Sequence, residues 1–101
     1  MRPFIFYSPR EVAEHIAQAA KEKRLSINLS QKSLSERSGV SFGVIKKFER
    51  SGKISLESLL KLALTLGSLN EFIDLFKTTP PEELRSLDEI LEDKPRKRGR
   101  K

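Results

Sequence analysis

Between Ser30 and Glu49 the chain uses one device twice in quick succession. A serine able to cap a helix opens a short run with apolar residues at helical spacing, and Gly39 separates the two runs. Ser30 caps a predicted helix from Gln31 to about Ser38 with Leu34 facing inward, and Ser41 caps another from Phe42 to about Arg50 with Ile45 and Phe48 inward. Gly39 supplies the left-handed residue on which the first run can end. Leu34, Val40, Ile45 and Phe48 are spaced to lock the two helices together, which leaves Phe42, Gly43, Lys46, Lys47 and Arg50 outward. That outward face carries three bases and no acid, as a groove lined with phosphates requires. The competing reading is two ordinary core helices of a bundle, but their outward face would be mixed in charge.

The rest of the chain reads as further helices. Ser8 caps the first, Pro9 suits its first position and Glu11 completes a capping box; Val12, Ile16, Ala19 and Ala20 then recur through about Arg24. Leu25 to Leu29 reads as a connector from which two apolar residues tuck inward. After the break at Ser51-Gly52-Lys53, Ser55 caps a fourth helix with a wide apolar face (Leu56, Leu59, Leu60, Leu62, Ala63, Leu66) that Gly67 stops. Ser68-Leu69-Asn70-Glu71 resembles another capping box. Leu69, Phe72, Ile73 and Phe76 follow at i, i+3, i+4 and i+7, predicting a short fifth helix, with a strand as the competitor. Leu84, Leu87 and Leu91 make a thin stripe on an acidic sixth helix after the Pro80-Pro81 linker.

Charge divides the chain further. Lys94, Arg96, Lys97, Arg98, Arg100 and Lys101 are the six bases of residues 94–101, and without them the net charge falls from +6 to zero. Residues 32–53 carry net +4, and residues 70–93 carry eight acids against Lys77 and Arg85. A neutral body with a basic stripe, an acidic segment and a basic tail suggests two kinds of partner. The tail is expected to be disordered alone. Arg98-Gly99-Arg100 is similar to the core of a minor-groove hook, and phosphate binding without selectivity is the plainer alternative. The expected layout is an arm over 1–8, a binding and dimerisation domain over 9–77, a linker and acidic helix over 78–93, and the tail over 94–101. Phe4 to Tyr7 could pair with a dimer mate as a strand or pack on the body.

Inventory narrows the classes of function. No cysteine is present and His15 is the lone histidine, so a metal site and thiol chemistry are not expected. With no glycine-rich phosphate loop either, neither an enzyme nor a cofactor is expected. No apolar run approaches the ~18 residues of a membrane span, and Met1 to Tyr7 is too short for a signal peptide. No membrane association and a cytoplasmic location are therefore expected.

Gln31 after a capping serine, Gly39-Val40-Ser41, Ile45 and Phe48-Glu49 together resemble the Cro/repressor-type (Xre) helix-turn-helix family. The resemblance covers residues 9 to 67 and implies an all-α, five-helix domain, counting the helix over 69–77. It implies that Gln31 and Ser41 contact phosphates, that Phe42, Gly43 and Lys47 sit where base edges are read, and that Arg50 and Lys53 touch the backbone; Glu49 matches a structural acid. The chain departs from the pattern in its longer connector and in carrying Phe42 and Gly43 where polar readers are common. Phe42 would then pack on thymine methyls and Lys47 supply the polar readout.

Within that family, Ile5-x-Tyr7-Ser8-Pro9, the Val12 helix, the Leu56-to-Leu66 helix and the Phe48-Glu49 pair are similar to HipB-type antitoxins. These are dimeric repressors of their own operon that bind HipA-type kinase toxins. The resemblance thus implies a palindromic duplex-DNA operator and a kinase partner. The apolar surplus of the fourth and fifth helices agrees with a homodimer through Leu69, Phe72, Ile73 and Phe76. A stand-alone or phage-type regulator would share most of these features. A protein-interaction adaptor that no longer binds DNA is the reading from another class.

Overall fold

The computed structural model describes residues 7–78, and the described part is all helical. Five helices follow in order: α1 (Pro9–Ser26), α2 (Gln31–Ser38), α3 (Phe42–Ser51), α4 (Leu56–Leu66) and α5 (Asn70–Ile73). The N-terminal run over 4–6, the acidic helix after Pro81, and the basic tail with Arg98 and Arg100 lie outside the described residues.

The serine caps form where the sequence places them. Ser8, Ser30, Ser41 and Ser55 are extended, and each hydroxyl accepts from the backbone N–H three residues on. At α1 the capping box is complete, since Ser8 N–H also donates to Glu11 Oε1 at 2.9 Å. Gly39, Gly52 and Gly67 close α2, α3 and α4 with φ near +80°, a region that glycine enters without a Cβ penalty.

The core is one cluster. Leu34, Val40, Ile45 and Phe48 are all but sealed from solvent and meet Ala17 of α1, Leu29, and Leu62 and Leu66 of α4. Helix α3 lies against α1 and α2, and α4 covers α1 and α2 from another side. One close approach holds α3 to α1: a Cβ on Gly52 would stand 2.9 Å from the carbonyl carbon of Ala13.

Three expectations are corrected. The connector is shorter than it reads, because α1 runs on to Ser26 and ends by local hydrogen bonding. Asn28 takes φ +60°, its N–H donates to Leu25 O, and Leu29 N–H donates to Arg24 O, which satisfies the last carbonyls of α1. Of the connector's apolar residues only Leu29 is buried; Leu25 and Ile27 stay about half exposed.

A fifth helix forms rather than a strand, as expected, but its extent is the third correction. It is a single turn whose N-cap is Leu69, already helical, with no side-chain cap. Ser68 does not cap it: the helical turn already includes Leu69, Ser68 N–H closes α4 on Ala63 O, and the chain continues in i-to-i+3 bonds (Glu71 to Ser68, Phe72 to Leu69, Leu75 to Phe72). Leu69 and Phe72 are half-buried, Phe72 beside a groove of about 330 Å³ between α1 and α4 that His15 also lines. Ile73 and Phe76 are exposed, and Phe76 has left the helix at φ +62°. The four residues do not form one stripe.

Candidate nucleic-acid interface

The site is built by holding α3 proud of the surface. Its inner side is fixed by Ile45 and Phe48, and the turn before it is stitched by two serines of α2. Ser35 Oγ donates to Val40 O at 2.6 Å, and Val40 N–H donates to Ser38 Oγ at 3.1 Å. Both backbone groups of buried Val40 are thereby satisfied without lengthening the turn.

The outer side of α3 is open. Phe42, Gly43, Lys46, Lys47 and Arg50 are all exposed, as expected from their spacing, and Lys53 is exposed just past the Gly52 turn. Phe42 is 45% exposed, so it is not a core residue of this chain. The Lys46 ammonium stands 5.1 Å from the centroid of the Phe42 ring, one turn away, so cation and ring are held together at the start of the helix.

Behind that face lies an ion pair that the sequence reading missed. Arg24 of α1 is 6% exposed and grips Glu49 of α3 at two points, Nε to Oε2 at 2.8 Å and Nη2 to Oε1 at 3.0 Å. Its third nitrogen, Nη1, donates to Leu29 O at 2.8 Å. Glu49 Oε1 also accepts from Gln31 Nε2 at 2.8 Å. Burial by itself would raise the Glu49 carboxyl, but hydrogen bonds from Arg24 and Gln31 and the charges of Arg24 and Lys21 outweigh it and hold the group below its ordinary value. Glu49 is therefore structural. The pairing joins residues on different helices, so no local pattern shows it; an acid on an otherwise basic helix was the available signal.

This network bears on two expected phosphate contacts. Gln31 is half-buried with its amide turned to Glu49, which uses one of the two protons on Nε2. The Ser41 hydroxyl accepts from Val44 N–H and keeps its own proton to donate. Arg98 and Arg100 lie outside the described residues.

Electrostatics separates these two helices from the others. Helices α1 and α4 each carry an acid in the first turn, Glu11 and Glu57, whereas α2 and α3 carry none. The positive ends of α2 and α3 thus have no acid of their own in the first turn beside the basic face, and Glu49, which reaches the start of α2, is paired with Arg24. No described helix is long and apolar enough to cross a membrane.

Two short capped helices about a glycine turn, the second exposing a basic face, define a DNA-binding transcription regulator of the helix-turn-helix class. The comparison with known families agrees: a helix-turn-helix profile of the Cro/C1 type matches residues 21–72, slightly more than half of the chain, and the chain belongs to that family. No curated protein matches the chain at a significant level.

Proposed function

We propose that this regulator is a sequence-specific repressor, a HipB-like antitoxin that represses its own operon and neutralises a HipA-type kinase toxin. The observation that carries the DNA-reading part is the outer side of α3: Lys46, Lys47 and Arg50 are exposed together without an acid, on a helix braced from behind by Arg24 and Glu49. Phosphates are met by Gln31, Ser41, Arg50 and Lys53, with the N-terminal end of α3, which has no acid in its first turn, adding attraction. Bases are read by Phe42 against thymine methyls and by Lys47 against guanine.

The homodimer part rests on unused apolar surface. Leu56, Leu64, Ile73 and Leu75 are each more than half exposed and Phe76 fully so, all on α4 or just after it. A second copy meeting the segment of Leu69, Phe72, Ile73 and Phe76 would cover the exposed Ile73 and Phe76 and set two recognition helices one DNA turn apart. The antitoxin part rests on the sequence resemblance and on the acidic segment before the basic tail. The protein needs no cofactor, is not an enzyme, and acts in the cytoplasm on this reading.

The test is a gel-shift against the DNA upstream of its own gene, with the neighbouring gene product tested for co-purification. Retardation at low salt and capture of a kinase-like neighbour are the expected results. Retardation without such a neighbour leaves a stand-alone regulator, and no retardation at low salt favours an adaptor.

A further inference from the structure

Three of the four described glycines close helices with φ near +80°. Gly43 does not. It is the second residue of α3, its φ is outside the left-handed range, and a Cβ built on it meets nothing within 4 Å. Neither backbone geometry nor packing among the described residues therefore calls for glycine at this position. In a helix glycine is less favourable than alanine, because more chain entropy is lost on ordering it. The fold gives no return for that choice.

The position of Gly43 supplies a reason outside the chain. It lies on the exposed face of α3, three and four residues before Lys46 and Lys47, and beside the Phe42 ring over which Lys46 is drawn. A bare Cα there is the place where the helix backbone can come nearest to whatever the face binds. Phe42 is short of polar atoms and reads only by contact, so it depends on how deeply α3 is seated.

We propose that Gly43 is a specificity-determining position, where the missing side chain lets the edge of a base pair in the major groove come into van der Waals contact with the α3 backbone. The inference rests on the DNA-binding reading above. It makes the residue a condition for readout by Phe42 and Lys47 rather than a reader itself. An added methyl group would hold the helix off the base edges while leaving phosphate contacts at Gln31, Ser41, Arg50 and Lys53 in reach.

The test uses the full chain and its Gly43→Ala variant. The wild type is first used to enrich duplexes from a random-sequence library. Affinities of both proteins are then measured for the enriched duplex and for a duplex of unrelated sequence, alongside thermal unfolding. The variant is expected to melt a few degrees higher, roughly 2–6 °C. Its affinity for the unrelated duplex should match the wild type, and its affinity for the enriched duplex should fall by about tenfold or more. Equal affinity of the two proteins for the enriched duplex overturns the inference. So does an equal loss on both duplexes, or a lower melting temperature, which would show that the fold needs the glycine. If the wild type enriches no duplex and binds none, the DNA-binding reading fails first and takes this inference with it.

Discussion

Arg24 and Glu49, 25 residues apart in sequence, are joined by two hydrogen bonds with side chains only 7% and 6% exposed. The pair ties α1 to the helix that presents the basic face, and through Gln31 it reaches the start of α2. Removing one partner leaves a buried, uncompensated charge. Arg24→Ala is expected to cost roughly 3–5 kcal/mol in urea unfolding, whereas replacing both partners together, Arg24→Met with Glu49→Leu, should cost less than either single change. A single variant of near wild-type stability would contradict a structural role for the pair.

The same pair predicts a pH dependence. The Glu49 carboxyl is held below its ordinary value in the folded protein, so below about pH 4.5 the unfolded chain binds a proton that the folded one refuses. Stability from this group is therefore present above that pH and is lost as pH falls through the lower, folded value. The urea midpoint of the wild type should fall more steeply as pH drops below about 4.5 than that of Glu49→Gln. Parallel profiles would show that Glu49 does not titrate in this way.

Gly39 and Gly52 share a φ of +80° but differ in surroundings, and this separates two costs of adding a side chain. At Gly39 nothing lies within 4 Å of the added Cβ, so Gly39→Ala should cost only the left-handed penalty of roughly 1–2 kcal/mol. At Gly52 the Cβ also meets the Ala13 backbone at 2.9 Å, and α1 and α3 must move apart. Gly52→Ala should cost at least about 1 kcal/mol more, measured by chemical unfolding. Equal costs would mean that the two helices part freely.

How much of this was legible follows from how far each cause acts along the chain. The serine caps, the glycine stops and the Leu34-Val40-Ile45-Phe48 lock are set within a turn or two of helix, and the sequence shows them directly. The end of α1 was also local, but Asn28 stands where glycine is the familiar sign, so the segment read as a longer connector. The approach of Gly52 to Ala13 and the grip of Arg24 on Glu49 join distant segments and leave no local mark. At α5 the periodicity was real, but the helix ends at Ile73 and Phe76 turns left-handed, so the repeat outlasts the helix. Of the candidate site, the outward face was legible; the brace behind it was not.

Phe42 and Lys47 are expected to govern which sequences are bound. Phe42→Ala also frees the Lys46 ammonium from the ring it now covers at 5.1 Å. Library selection with this variant should yield duplexes with a changed base preference, while Lys47→Ala should relax preference at guanine and weaken binding to the enriched duplex by roughly 1–3 kcal/mol. A Phe42→Ala protein that selects the wild-type sequence would remove the ring from the readout.

The central claim is that the exposed side of α3 binds duplex DNA. Fluorescence anisotropy of a labelled duplex from upstream of the gene tests it, titrated with wild type and with Lys46→Ala/Lys47→Ala/Arg50→Ala at several salt concentrations. The wild type should bind more tightly than the triple variant at low salt. Its log affinity should fall with log salt more steeply, by up to about 0.9 for each phosphate contact that the variant has lost. Identical affinities and identical salt slopes for the two folded proteins would contradict the claim.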